Sequence, residues 1–256
     1  MPTHAQITAT LRAAGCVFAE DEAALLLDAA SGSDLARLVE RRVAGEPLEV
    51  VVGWAEFCGL RIEIDPGVFV PRRRTEALVR EAARLATGPV VVLDLCCGSG
   101  ALGVALAHLV DQVSLYAADV EPAAVRCARR NVASVGGQVF EGDLDEPLPV
   151  SLRGQVDLLV ANVPYVPSEH IALMPSEARL HEPRVTLDGG VDGLDVLRRV
   201  ASVSPRWLAP GGHLLVETSE AQAPAAVDVF VAAGLEARVV VDDDAGATVV
   251  VGTRVP

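Results

Sequence analysis

The sequence predicts an α/β fold: a parallel sheet wound by helices on both faces, ending in an antiparallel pair and preceded by a small helical domain. Between residues 88 and 235, apolar β-like runs alternate with helical stretches, the order that puts helices on both faces of a parallel sheet. Residues 90–95 form an apolar run broken only by Asp94, as expected of a strand buried on both sides. Residues 235–241 and 248–254 flank Asp242-Asp243-Asp244-Ala245-Gly246 and read as a closing hairpin. With 256 residues, 51% of them hydrophobic, the chain can bury one large core and a smaller one.

The elements follow in order. Residues 1–46 are expected to form a helical domain with patterns at 7–14, at 20–30, where Leu25, Leu26 and Leu27 make an apolar stripe, and at 33–44 behind Ser33 or Asp34 as cap. Residues 47–74 read as a β-hairpin linker carrying Trp54, Phe57, Ile62, Ile64, Val68 and Phe69, with its turn near Asp65-Pro66-Gly67. The catalytic domain is expected over 75–256, opening with Thr75 as cap of a helix at 76–87. Strands at 90–95, 113–118, 138–140 and 156–161 then run into short polar loops.

Composition excludes several chemistries. The chain has no lysine, all 21 basic residues being arginine, which removes Schiff-base and pyridoxal phosphate catalysis and the P-loop. Five cysteines (16, 58, 96, 97 and 127) make no C-x-x-C pair, and five histidines are dispersed, so neither a metal site nor a disulfide framework is expected. No apolar run is long enough to span a bilayer and Met1-Pro2-Thr3-His4 begins no secretory signal, so a cytoplasmic location without membrane association is expected. Residues 1–75 hold 11 acids and 8 arginines, a net −3, and residues 76–256 hold 24 acids and 13 arginines, a net −11. An acidic catalytic half repels nucleic acid and attracts a basic protein. The chain's basic clusters, Arg72-Arg73-Arg74 and Arg129-Arg130, read equally well as solvated surface.

The loops carry the chemistry. The first strand runs into Cys96-Cys97-Gly98-Ser99-Gly100 and a helix at 101–110, and Gly98, Gly100 and Gly103 satisfy G-x-G-x-x-G, so a dinucleotide must be weighed. Asp94 argues against it, because a carboxylate at the strand mouth repels a pyrophosphate. S-adenosylmethionine carries an ammonium, a sulfonium and a ribose diol but no phosphate, and it suits an acidic strand end. Asp119, 25 residues on and at the tip of the second strand, is placed to accept both ribose hydroxyls; the plainer reading is a loop Asp capping the helix near Pro122. Asp143, in Glu141-Gly142-Asp143-Leu144, is a candidate acceptor for the adenine amino group, with Leu144 packing on the base; Gly-Asp turns are common, so this signal is weak alone.

Asn162-Val163-Pro164-Tyr165 ends the strand at 156–161. Pro164 fixes the backbone, leaving the Asn162 side-chain oxygen and the Val163 carbonyl to grip one NH2 group while Tyr165 covers the plane that bears it. The same residues also make an ordinary strand-ending turn.

Four segments together resemble the HemK/PrmC family of protein-glutamine methyltransferases. They are Phe69-Val70-Pro71-Arg72 with Thr75-Glu76, Asp94 through Gly100, Asn162 through Tyr165, and Glu182-Pro183 with residues 187–194, Leu-Asp-Gly-Gly-Val-Asp-Gly-Leu. The third is shared with adenine-N6 methyltransferases; the first and fourth discriminate. The resemblance implies a class I S-adenosylmethionine-dependent methyltransferase, with a Rossmann-like seven-stranded sheet and an antiparallel last strand. It implies methylation of the glutamine of a Gly-Gly-Gln motif in a peptide chain release factor. It assigns the cofactor to Cys96, Cys97, Gly98, Ser99, Gly100, Asp119, Leu144 and Asn162, beside Asp94 and Asp143, and the catalytic and substrate-binding roles to Asn162, Val163, Pro164 and Tyr165, with Phe69 a further candidate substrate contact. Three departures fit a divergent paralogue acting on another glutamine: Val163 stands for the family's first proline, Arg73-Arg74 for a proline-acid pair, and the N-terminal region is shorter. The rival readings are an adenine-N6 DNA or RNA methyltransferase and a silent methyltransferase-fold binding protein. The oligomeric state is left open, with a monomer favoured.

Overall fold

The computed structural model describes residues 2–255; Met1 and Pro256, which bound the first and last expected domains, lie outside the described residues. The chain opens with helices α1 (His4–Ala13), α2 (Ala19–Ala29) and α3 (Gly32–Val43). Thr3 and Gln6 form a reciprocal capping box at the start of α1. Ile7, Leu11, Leu26 and Leu35 form a core separate from that of the sheet. Arg42 donates to Glu22 at 2.6 Å with both side chains largely buried, fastening α3 to α2. Neither Ser33 nor Asp34 caps α3; it begins at Gly32 behind Ser31, without a side-chain cap.

The hairpin differs from expectation. Residues 48–52 form a short helix, α4 (Leu48–Val52), and β1 (Trp54–Phe57) pairs with β2 (Leu60–Glu63) across Cys58-Gly59. Both turn residues have positive φ, 51° and 72°, the requirement of a two-residue primed turn whose twist matches the strands. Asp65-Pro66-Gly67 makes a later, separate turn in which the Val68 N–H donates to the Asp65 carbonyl at 3.1 Å. Thr75 ends a 3-10 turn and lies next to α5 (Glu76–Leu85), but its hydroxyl does not cap the helix.

The remaining elements are β3 (Val90–Leu95), α6 (Ala101–Leu109), β4 (Val113–Asp119), α7 (Pro122–Ala133), β5 (Gln138–Glu141), β6 (Val156–Ala161), α8 (Ser176–His181), α9 (Asp195–Trp207), β7 (Leu208–Thr218), α10 (Ala223–Ala232), β8 (Leu235–Asp242) and β9 (Ala247–Arg254). The sheet order is β5-β4-β3-β6-β7-β9-β8. The pairs up to β6–β7 are parallel, and β9 runs antiparallel to both β7 and β8. Strand alternation divides the core: Val90 and Val92 face a cluster with α5 and α6, while Leu93 and Leu95 face one with α9 and α10. After β3 the chain steps outward through β4 and β5, then returns to place β6 on the other side of β3. The carboxyl ends of β3 and β6 therefore diverge into a crevice, where ligands bind in open α/β sheets.

Candidate functional site

The crevice is a cleft of about 190 Å³ lined by the glycine loop, the ends of β4 and β6, and the strap 67–74. At one end the loop is held by backbone groups. The Cys97 N–H donates to the Ala118 carbonyl at 3.1 Å and the Gly100 N–H to the Cys97 carbonyl at 2.7 Å. Gly100 has φ 78°, and a Cβ there would sit 2.9 Å from Val132 Cγ2; both the conformation and the space demand glycine.

Asp94 lies beneath this loop, not at its mouth. It is 1% exposed; Oδ2 accepts the Gly103 N–H at 3.0 Å and Oδ1 has no partner among the described residues. Burial raises its pKa to about 8, with Asp119 adding to the shift. A carboxyl group held neutral near pH 7 repels no pyrophosphate, so that argument against a dinucleotide does not hold for Asp94, which instead supports the start of α6. Asp119 does line the cleft. Its Oδ2 accepts the Gly98 N–H at 2.8 Å and its Oδ1 the Glu121 N–H at 2.9 Å, and burial raises its pKa. Each oxygen keeps a second lone pair for a hydroxyl donor. Asp143 and Leu144 also line the cleft. Asp143 accepts from Arg199 at 2.7 Å, and Leu144 takes φ 48° and packs into the α9 cluster.

The other end is built by side chains. The Asn162 amide nitrogen donates to the buried Thr75 hydroxyl at 3.5 Å, which leaves Oδ1 as the end of the amide without a partner among the described residues. The Val163 carbonyl likewise accepts no hydrogen bond there. Both residues line the cleft, with Phe69, Pro164 and Tyr165. The Tyr165 hydroxyl donates to Glu217 at 3.0 Å and accepts from Arg74; burial and the Glu217 charge raise the phenol's pKa.

The fourth segment holds the turn from behind. Val166 bridges to Asp188, the Val166 N–H donates to the Leu187 carbonyl at 3.1 Å, and the Gly189 N–H to the Val166 carbonyl at 2.9 Å. Gln222 Nε2 donates to the Tyr165 and Asp192 carbonyls at 3.0 and 2.9 Å. Arg72 donates to the buried Glu182 at 2.5 Å, so the first segment is clamped to the fourth.

Sequence reasoning missed several of these parts. Asn131 on α7 donates to the Ser99 and Glu63 carbonyls at 2.9 and 3.0 Å and accepts the Glu63 N–H, tying the hairpin to the glycine loop. Arg199, Met174 and Val185 line the cleft, and Glu217 anchors Tyr165. The partners of Asn131, Arg199 and Glu217 lie far along the chain, and no local motif marks these residues.

Comparison with known proteins identifies the family. The family model for the Methyltransferase small domain matches residues 59–191. A release factor glutamine methyltransferase of Geobacter sulfurreducens is 40% identical over 220 residues, covering 85% of this chain and 76% of that protein. This chain belongs to the release factor glutamine methyltransferase family. Another relative, a 4-amino-L-phenylalanine/4-methylamino-L-phenylalanine methyltransferase of Streptomyces pristinaespiralis, is 40% identical over 206 residues, covering 77% of this chain and 69% of that protein. A methyltransferase structure from Pyrococcus furiosus shares the fold, with TM-score 0.59 at 15% identity over 77% of this chain and 90% of that one. Family and fold make this chain an N-methyltransferase and imply S-adenosylmethionine as donor; the adenine-N6 and silent-scaffold readings are not favoured. Among the described residues no helix is long and apolar enough to cross a membrane.

Proposed function

We propose that this enzyme methylates the side-chain amide nitrogen of a glutamine in a protein, a peptide chain release factor being the first candidate. The observation that carries the reading is the pair of oxygens at the end of β6. Thr75 takes the Asn162 NH2, so Asn162 Oδ1 and Val163 O remain as two acceptors without partners among the described residues, on consecutive residues that line the cleft. A primary amide offers the two N–H donors that such a pair accepts.

The opposite end fits S-adenosylmethionine. Gly98 to Gly100 leave the loop free of bulk, Asp119 has lone pairs for a ribose diol, and Leu144 gives an apolar face beside Asp143. Bound there, the donor supplies a sulfonium-activated methyl group. The chain's own part is positioning. An amide nitrogen is a weak nucleophile because its lone pair is delocalised into the carbonyl. Accepting both N–H bonds fixes its orientation and places two partial negative charges where positive charge grows on nitrogen. The Tyr165 phenol, with its pKa raised and its O–H donating a hydrogen bond to Glu217, is no base. The proton leaves the methylated nitrogen to water.

The test is methyl transfer from labelled donor to purified release factors, followed by mass spectrometry of the Gly-Gly-Gln peptide. One added methyl group, absent with Asn162→Ala, is the expected result; an unmodified glutamine under donor-saturating conditions overturns the release-factor assignment. The Streptomyces pristinaespiralis relative favours a second reading, an arylamine acceptor, because an aniline also presents NH2 on a planar carbon. Modification of 4-amino-L-phenylalanine alone establishes that alternative.

A further inference from the structure

A second cavity, of about 280 Å³, opens farther along the same sheet edge. It is bounded by the end of β7, where Thr218 pairs with Thr248 of β9, and by Asp242 at the end of β8. Arg74 and Tyr165 line both cavities, so this one begins where the amide-binding end of the cleft stops.

Its lining is acidic: Glu217, Glu220, Asp242 and Asp243, with Arg74 the one cation among the described lining residues. Arg80 donates to Asp242 at 2.8 Å, while Glu220 and Asp243 form no ion pair among the described residues. Exposed carboxylates alone mark no site, but Glu217 is different. Its side chain is 2% exposed. Oε1 accepts from Arg74 Nε and from the Tyr165 hydroxyl, each at 3.0 Å, whereas Oε2 has no partner among the described residues. A buried carboxylate oxygen without a donor is a costly arrangement. A cationic donor that reaches Oε2 through this cavity supplies the missing partner, in a lining that also holds Glu220 and Asp243.

Resting on the glutamine-methylation reading, we propose that this cavity is a subsite for a guanidinium or ammonium side chain of the substrate polypeptide, close in sequence to the methylated glutamine. Tyr165 is the wall between the two subsites. The net −11 of residues 76–256 draws a basic partner toward them.

The experiment uses the wild-type enzyme and the double variant Glu220→Gln/Asp243→Asn, which leaves the amide grip and the glycine loop untouched. Amide NMR is recorded during titration with N-acetyl-arginine methylamide and, separately, with spermidine. Saturable shifts at residues 217–220 and 242–248 with the arginine probe, lost in the double variant, are expected. Absence of such shifts in the wild type overturns the subsite whatever the activity. Saturation by spermidine alone overturns the polypeptide assignment in favour of a free polyamine. Initial rates are then measured on glutamine peptides with arginine or alanine beside the glutamine. The arginine peptide should be better by about tenfold in kcat/KM, the scale of one charge-assisted hydrogen bond. That advantage should vanish in the double variant, with the alanine peptide unchanged. Equal rates on both peptides in the wild type overturn the proposal and leave glutamine methylation standing. Binding of the arginine probe without methylation of any glutamine peptide supports the cation site and overturns the glutamine reading.

Discussion

At the donor end of the cleft, Asp119 reaches back 21 residues to the Gly98 N–H and forward two to that of Glu121. At the acceptor end, Tyr165 is held by Glu217, Gln222 and Arg74, which lie 52, 57 and 91 residues away. The first arrangement is backbone geometry set by glycines and the ends of neighbouring parallel strands, and many side chains nearby can change without moving it. The second is an assembly of side chains from distant segments, and one substitution alters what it recognises. On the proposed reading the donor end serves methyl transfer, and the choice of substrate is decided at the acceptor end, around Val163 and Arg74.

If the two ends are separable, variants at each should move different constants. Asn162→Ala removes one of the two oxygens and should lower turnover by roughly 10²–10³, or about 2.7–4 kcal/mol, the usual loss for one preorganised polar partner. Calorimetry should show donor affinity nearly unchanged. Near wild-type turnover removes Asn162 from the chemistry, and an equal loss of donor affinity means that the two ends are one unit. Asp119→Ala is the converse. Its carboxylate supports the Gly98 and Glu121 N–H groups and is the candidate ribose acceptor, so donor affinity should fall by roughly tenfold to a hundredfold, the scale of hydrogen bonds to a charged group. Turnover at saturating donor should change far less. An unchanged dissociation constant takes Asp119 out of the donor site.

The foundation of the donor end is open to test through pH. Burial lifts Asp94 from 3.8 to about 8, so between those values the folded chain keeps a proton that the unfolded chain has lost. Stability contributed by this group is greatest at the acid end of that window and falls as pH rises through it. Asp94→Asn cannot titrate, and any fixed cost of the amide is the same at every pH. Relative to wild type, the variant's Tm should therefore rise from pH 5 to pH 8, by at least the roughly 2–4 °C that about 1 kcal/mol produces in a chain of this size. Parallel Tm curves place the charge on Asp94 in the folded state and return it to the list of groups that repel phosphate.

The same contrast explains what the sequence made legible. The βα alternation, the closing hairpin and the glycine loop are contiguous signals, each written within about ten residues, and of the candidate donor residues all but Asp94 and Gly100 line the cleft. Asp94 sits at the expected place on β3, but alternation turns its side chain toward Gly103, which a strand-end reading does not resolve. The hairpin turns at Cys58-Gly59, which lacks the Asn-Gly or Asp-Gly signature, while Asp65-Pro66-Gly67 has a stronger turn composition. Thr75 has the composition of a cap but serves Asn162, 87 positions away. Asn131, Glu217 and Arg199 act across comparable separations, where spacing carries no information.

The smallest expected effect tests the departure most specific to this chain. The Val163 N–H donates to nothing among the described residues, so a proline there forfeits no hydrogen bond, and its three side-chain carbons match the number in valine. Proline at 163 also restricts Asn162 toward extended backbone, which narrows the orientations open to the gripping amide. A compatible proline adds about 0.4–1 kcal/mol, chiefly by limiting the unfolded chain. If the same restriction acts on the grip, turnover on a glutamine peptide rises about two- to fivefold. Val163→Pro should therefore raise Tm slightly and speed methyl transfer to a primary amide. A lower rate on glutamine with a higher Tm would show instead that the buried valine side chain shapes the acceptor subsite, and that the turn is tuned to a group other than the release-factor amide.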